Sequence, residues 1–241
     1  MNMTAPTIGV VGSGFGGHVH VPALQAAGWN VVGIASRDIE KAKSSAKEQG
    51  ITAFGSWQEL LSYPALTALS IASPQSTHKE IADAAIAAGK HVLCEKPFCL
   101  NVEDARSLLV AAEKAKLIHT TNFEFRDNPA ITCAKNWLRQ EKGGRVRSLS
   151  VSWKMGGWAD PARPWAWQCD AVQGGGILSS IGVHVFDYLA WFLQEPIIRL
   201  KADMGITFPT RPDATGKQKP VTAPDCASLD IVFSSGVTGS V

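Results

Sequence analysis

The 241-residue sequence contains no apolar run approaching the ~18 residues that a membrane-spanning helix requires, so a membrane protein of helical type is excluded. It also lacks a marked excess of either charge. The formal net charge is +2, too small to argue for nucleic acid or an anionic membrane surface as partner. It lacks a metal-ligand spacing among its cysteines. The five (94, 99, 133, 169, 226) are scattered and odd in number, and read as reduced thiols of a cytoplasmic protein without a structural metal. The segment Met1-Asn2-Met3-Thr4-Ala5-Pro6 has no basic residue, and glycines break the apolar run after it, so a secretory signal is not expected. Internal repeats are missing too. What remains is an ordinary globular composition, 45% hydrophobic and 18% charged, long enough for one large domain or two smaller ones.

Apolar segments and helical segments alternate over the first half. Residues 7–11, 31–35, 66–72, 91–94 and 117–121 read as short buried strands. Helical patterns run from about His18 to Ala27, Asp38 to Gln49, Thr77 to Ala88 and Val102 to Lys116. The strands are apolar on both faces, which predicts a parallel sheet covered by helices. The pattern changes after Phe123. Arg145 to Met155 alternates as a half-exposed strand. A Trp/Pro-rich loop spans Trp158 to Gln173, and Gly174-Gly175-Gly176 opens a long helix to about Gln194. Ile197 to Thr207 and Ser228 to Phe233 read as strands, with a polar Pro-rich loop from Pro209 to Pro224 between them. Ala227, Leu229, Ile231 and Phe233 share one strand face, and Val237 to Val241 reads as the returning strand of a hairpin, a pattern expected of a truncated second domain. The expectation is an α/β chain: residues 1–122 a doubly wound, dinucleotide-binding Rossmann domain, and 123–241 an α+β substrate or oligomerisation domain with an open, largely antiparallel sheet.

Five stretches point to chemistry. Gly12-Ser13-Gly14-Phe15-Gly16-Gly17 fits G-x-G-x-x-G between a strand and a helix, the arrangement that lets backbone N–H groups approach a pyrophosphate at a helix N-terminus. The next strand ends at Ser36-Arg37 where an acidic residue would accept the ribose hydroxyls of NAD. A hydroxyl and a cation suit a 2′-phosphate, so NADP is preferred over NAD, although Arg37 also fits a solvated charge at a helix start. Ser73, Pro74, Thr77 and His78 form a loop of the kind a cofactor rests against; capping of the following helix by Thr77 is an equal reading. Glu95-Lys96-Pro97 follows the apolar run His91–Cys94, which puts a lysine at the carboxyl end of a buried strand, where ligands bind in open α/β sheets. The proline fixes the local backbone and permits a cis peptide bond. Farther on, Ser180, His184 and Asp187 have the i, i+4, i+7 spacing of one helix face, which offers a proton carrier with a carboxylate in reach. A histidine packed at a domain interface is the alternative.

Taken together, the glycine turn, Glu95-Lys96-Pro97, and Gly174-Gly175-Gly176 followed by Gly182-x-His184-x-x-Asp187 resemble the glucose–fructose oxidoreductase, inositol dehydrogenase and rhizopine-catabolism (Gfo/Idh/MocA) family. The resemblance extends through Asn122, Arg126, Pro129 and Gly144-Arg145-Val146. It implies oxidation or reduction of a carbinol or carbonyl carbon on a sugar, cyclitol or related compound with NAD(P). It also implies that Lys96 polarises the reacting oxygen while His184 moves the proton, and that the open sheet supports a homo-oligomer, dimer or tetramer. Glu95 and Lys96 join the cofactor residues, and Arg126, Trp167, His184 and Asp187 the substrate side. Trp165, Trp167 and Gln168 fall in the loop expected to line that side, with plain aromatic packing an equal reading for either tryptophan. One departure stands out. The family carries an aspartate four residues before the histidine, whereas this chain has Ser180, which cannot hold the charge that stabilises an imidazolium; Asp187 is the substitute carboxylate the sequence offers. Ser180 also favours a second expectation, a non-catalytic NADP(H)-binding regulatory or sensing protein of the same fold. A Rossmann reductase of another family is a third.

Overall fold

The protein is described from a computed structural model over residues 5–140 and 144–241. Met1 to Thr4, the start of the segment read above as lacking a basic n-region, lie outside the described residues. The chain divides into two compact units, Met1–Asn122 and Phe123–Val241. Among the described residues no helix is long and apolar enough to cross a membrane.

The first unit alternates strand and helix. β1 (Thr7–Val11) is buried at every position and leads through a turn of π-helix, Gly16–His20, into α1 (Val21–Ala26). β2 (Asn30–Ala35) precedes α2 (Ile39–Gln49), which Asp38 caps by accepting from Lys41 N at 3.2 Å and which Gly50 ends at φ 67°. β3 (Thr52–Phe54), α3 (Trp57–Leu61), β4 (Ala68–Ile71), α4 (His78–Ala87), β5 (His91–Cys94), α5 (Val102–Lys114) and β6 (His119–Thr121) complete it. The six strands lie in the order β3-β2-β1-β4-β5-β6, every pairing parallel. The order reverses direction between β1 and β4, the switch point at which such sheets bind ligands. Alternate residues of β1 feed two cores. Ile8 and Val10 pack with Val21, Ile34 and Ala46, and Val11 with Leu69, Ile71, Ile81, Val92 and Leu108. This is the doubly wound parallel sheet expected from the sequence.

The second unit contains α6 (Pro129–Arg139), capped by Asn128 Oδ1 accepting from Ala130 N at 2.9 Å. It continues through β7 (Ser148–Ser150), α7 (Gly156–Ala159), a π-helical turn at Leu178–Gly182, and α8 (Val183–Leu193). The remaining strands are β8 (Ile197–Gly205), β9 (Thr210–Pro212), β10 (Gln218–Pro220), β11 (Cys226–Phe233) and β12 (Thr238–Ser240). Four of them form a sheet in the order β7-β12-β11-β8, parallel only between β7 and β12. Leu229, Ile231 and Phe233 alternate onto its buried face and pack with Val185, Leu189 and Val237.

Two segments differ from the reading above. The strand expected over Arg145–Met155 shrinks to three residues, because β7 pairs only along Thr238–Ser240. The loop expected over Pro209–Pro224 contains the β9–β10 hairpin. Its turn is built on Asp213, whose Oδ1 accepts from Thr215 N at 2.9 Å and Lys217 N at 3.1 Å.

Candidate functional site

In the first unit the glycine turn connects β1 to the π-helical turn. Gly12 has φ 113°, and a Cβ there would overlap the carbonyl oxygen of Ala72, so only glycine lets the end of β1 lie against the end of β4. At Gly17 a Cβ would collide with Ser45 Oγ on α2, and at Gly16 it would press on Val10 and Ala72. At Gly14 it would meet nothing within 4 Å. Three of the glycines therefore serve packing, while Gly14 keeps an open face on the turn. That face fits the approach of a pyrophosphate to backbone N–H groups. Phe15, beside it, is 48% exposed.

The neighbouring loops converge on this turn. Ser13 Oγ donates to Ser36 Oγ at 3.0 Å, which ties the glycine turn to the end of β2, and Arg37 next to it is exposed. Beyond β4, Ser73 Oγ and Thr77 Oγ1 lie 2.7 Å apart, and Thr77 Oγ1 donates to Pro74 O at 2.8 Å. The Thr77 hydroxyl is thus spent on its own loop and makes no side-chain cap to α4. His78 is buried, with Nε2 2.9 Å from Ser73 O and Nδ1 3.0 Å from Pro97 O. Burial outweighs these carbonyls and lowers its proton affinity. His78 therefore staples the β4 loop to the Glu95-Lys96-Pro97 turn, and its ring faces protein on both nitrogens.

Glu95 begins that turn. It is 8% exposed, and its Oε1 accepts from Asn122 Nδ2 at 2.7 Å and from His20 Nε2 at 2.9 Å. Burial alone would raise its carboxyl, but the hydrogen bonds from His20 and Asn122 outweigh burial and hold it below the usual range for glutamate. Lys96, half-buried, follows at the carboxyl end of β5, and its bond to Pro97 is cis.

In the second unit His184 lies in the first turn of α8, 3% exposed. Its ring is enclosed by Phe125 at 4.7 Å and Phe123 at 6.2 Å, both edge-on, and Trp153 stacks at 6.5 Å. Glu124 Oε1 stands 3.7 Å from His184 Nε2. Asp187, the substitute carboxylate expected from the spacing, is engaged elsewhere: its two oxygens accept from Arg126 Nε at 2.7 Å and from Arg126 Nη2. Ser180 falls in the π-helical turn before α8, where the wider pitch breaks the α-helical spacing assumed for Ser180, His184 and Asp187. The carboxylate that reaches His184 thus comes from the turn Glu124–Asp127, which sequence spacing on one helix does not reveal.

The Trp/Pro-rich loop is anchored by packing. Trp165 Nε1 donates to Pro220 O at 2.9 Å and its ring lies under Lys219 Nζ at 4.7 Å. Arg211, 1% exposed, donates to Trp158 O and Asp160 O, each at 2.6 Å. Trp167 and Gln168 lie half-buried in and beside the 3₁₀ turn Trp167–Cys169. A Cβ on Gly175 would strike the carbonyls of Gln168 and Asp170, so the glycine run before α8 is needed for that loop to dock. Among the described residues no group of three His, Cys, Asp or Glu is arranged to hold a metal.

Comparison with known proteins agrees with this architecture. Residues 7–123 match the oxidoreductase family with NAD-binding Rossmann fold, and residues 131–241 match the GFO/IDH/MocA C-terminal domain. An uncharacterized oxidoreductase of Synechocystis sp. is 38% identical over 96% of this chain and 63% of its own length. The levoglucosan dehydrogenase of Pseudarthrobacter phenanthrenivorans is 29% identical over 97% of this chain and 66% of its own. The chain thus spans somewhat less than two thirds of these relatives. A solved structure of levoglucosan dehydrogenase in complex with NADH and L-sorbose matches with a TM-score of 0.87 at 29% identity, covering 98% of this chain and 66% of that one. An oxidoreductase domain protein from Kribbella flavida gives 0.87 at 28% identity, covering 99% and 67%. Both halves of the chain, with their glycine turn, Lys96 turn and histidine helix, belong to the Gfo/Idh/MocA oxidoreductase family.

Proposed function

We propose that this chain carries the cofactor-binding and reacting groups of an NAD(P)-dependent oxidoreductase that acts on a carbinol or carbonyl carbon of a sugar, cyclitol or related polyol. The observation that carries the reading is the turn at Gly14. It is open to a ligand at the β1–β4 switch point, and the turn bearing Lys96 follows the next strand over, β5. Gly12 to Gly17 would hold the pyrophosphate, and Ser73 with its loop would lie against the cofactor. A bound nicotinamide supplies the acceptor for the hydride that leaves the carbinol carbon with its electron pair.

The chain's own groups account for the proton. Lys96 donates to the substrate oxygen and stabilises the charge that grows there. His184 accepts the hydroxyl proton, and the imidazolium so formed is stabilised by the Glu124 carboxylate, whose Oε1 stands 3.7 Å from Nε2. Glu124 in this role makes up for Ser180. Phe123, Phe125 and Trp153 wall the ring and keep it from solvent. Asp187 holds Arg126, and that pair orients the turn bearing Glu124. For the cofactor, Ser36 and the exposed Arg37 at the end of β2, with no carboxylate at either position, favour NADP over NAD.

A non-catalytic NADP(H)-binding protein of the same fold is the second reading, and Ser180 is the residue that favours it. Screening NAD(P) reduction with a panel of sugars and cyclitols separates the two. Turnover that Lys96→Ala abolishes and Glu124→Gln slows supports the enzyme. Tight NADPH binding without turnover on any substrate supports the second reading and overturns the first.

A further inference from the structure

One buried polar group lies beside both the glycine turn and the Lys96 turn. His20, 4% exposed, closes the π-helical turn after the glycines. Its Nδ1 lies 2.7 Å from Ser70 Oγ on β4, itself fully buried, and its Nε2 lies 2.9 Å from Glu95 Oε1. Because the Glu95 carboxyl is held ionised, it can only accept, so His20 donates through Nε2. Asn122, the last residue of the unit, donates to the same oxygen. The Glu95 main chain is fixed too, donating to Ile71 O at 2.8 Å. Phe15 packs edge-on against the His20 ring at 5.4 Å, which links this pair to the exposed tip of the glycine turn.

A buried hydrogen-bonded pair contributes only modestly to net stability. Its distinctive property is geometric. A carboxylate held from two sides has one orientation, and the peptide that follows it has one as well. Here the peptide that follows carries Lys96. The histidine comes from the helix that the glycine turn opens. On these grounds we infer that His20 is a positioning residue: through Glu95 it fixes the Lys96 turn relative to the glycine turn, so that Lys96 and the cofactor turn keep one register. The inference rests on the proposed role of Lys96 and adds to it a residue that does not itself touch the reacting atoms.

Two conservative variants divide the two arms of the imidazole. The amide nitrogen of His20→Gln sits near the position of Nε2 and keeps the donor to Glu95. That of His20→Asn sits near Nδ1 and reaches only Ser70. The expectation is that H20Q keeps kcat within about threefold of wild type, whereas H20N loses on the order of tenfold or more in kcat with little change in KM, the size expected for one charge-assisted hydrogen bond. A readout independent of turnover is the rate at which Lys96 is modified by trinitrobenzenesulfonate, followed by mass spectrometry of its peptide. That rate should change in H20N and stay at the wild-type value in H20Q. Should the protein turn over none of the substrates tried, the labelling rates alone decide, and the enzyme reading fails separately. Should H20N not fold, Asn122→Ala removes the other donor to Oε1 and should move the labelling rate in the same direction. Equal rates in H20N and H20Q, or in N122A and wild type, overturn the inference, as does a loss that merely follows the thermal midpoint.

Discussion

Gly14→Ala tests whether the glycine turn is a ligand cradle or a packing device. In the folded chain the added methyl meets no atom within 4 Å, and the backbone there is not in the left-handed region. Its effect on stability should therefore lie within about 0.5 kcal/mol, the usual range for a surface substitution, or roughly 2 °C in thermal midpoint. On the proposed reading, the same methyl stands where a pyrophosphate would approach the backbone. Displacing the ligand enough to lose one hydrogen bond to a charged group costs about 1.5–3 kcal/mol, which corresponds to a 10- to 100-fold weaker Kd. Gly17→Ala is the control. Its Cβ collides with Ser45, so overpacking of about 1–3 kcal/mol should lower the midpoint. Fluorescence titration with NADH and NADPH, alongside thermal unfolding, reads both effects. If G14A binds both nucleotides within threefold of wild type at an unchanged midpoint, the turn is not the pyrophosphate site.

Two further outcomes follow from buried charges. Glu95 releases its proton more readily in the folded than in the unfolded chain, so its stabilisation is fully present above the ordinary glutamate value of about 4.3 and is lost as pH falls below it through the folded value. Urea unfolding midpoints should drop between pH 6 and pH 3 more steeply in wild type than in Glu95→Gln, and equal slopes would refute the assignment. Arg211→Met should remove two charged hydrogen bonds and strand the carbonyls of Trp158 and Asp160, a loss of about 2–4 kcal/mol, or roughly 10 °C in calorimetry. An unchanged midpoint would mean that the guanidinium does not anchor the Trp/Pro-rich loop.

The centre of the parallel sheet is legible in the sequence because β1 and β4 are buried on both faces, whereas β6, read as buried, is mostly exposed at the edge. β1 and β4 are apolar or small at nearly every position, a pattern few other structures require. β3 and α3 escape such reading because three and five residues are too short for a period. A local signal did exist: Ser56 caps Glu59 N at 3.1 Å while the Glu59 side chain accepts from Gly55 N. α6 was likewise marked by Asn128 followed by Pro129. The candidate site divides in the same way. Gly12 to Gly17 and Lys96 are visible as candidates because their motifs are local. Glu124 is not, since its proximity to His184 is created by the fold between distant segments. His20 gives only a faint hint, the second of two histidines, His18 and His20, soon after Gly17. The reading of Asp187 fails for a related reason: spacing reveals which residues share a face but not which partner, here Arg126, reaches the carboxylate first.

The oxygen shared by His20 and Asn122 bears on how the first unit folds. Its donors lie 75 and 27 residues from Glu95 and come from the first helical turn and the final residue of the unit. Both donors are in place only when the turn after β1 and the end of β6 have come together on β5. The pairing is thus one of contacts distant in the sequence, and through it the glycine turn and the turn presenting Lys96 become ordered together.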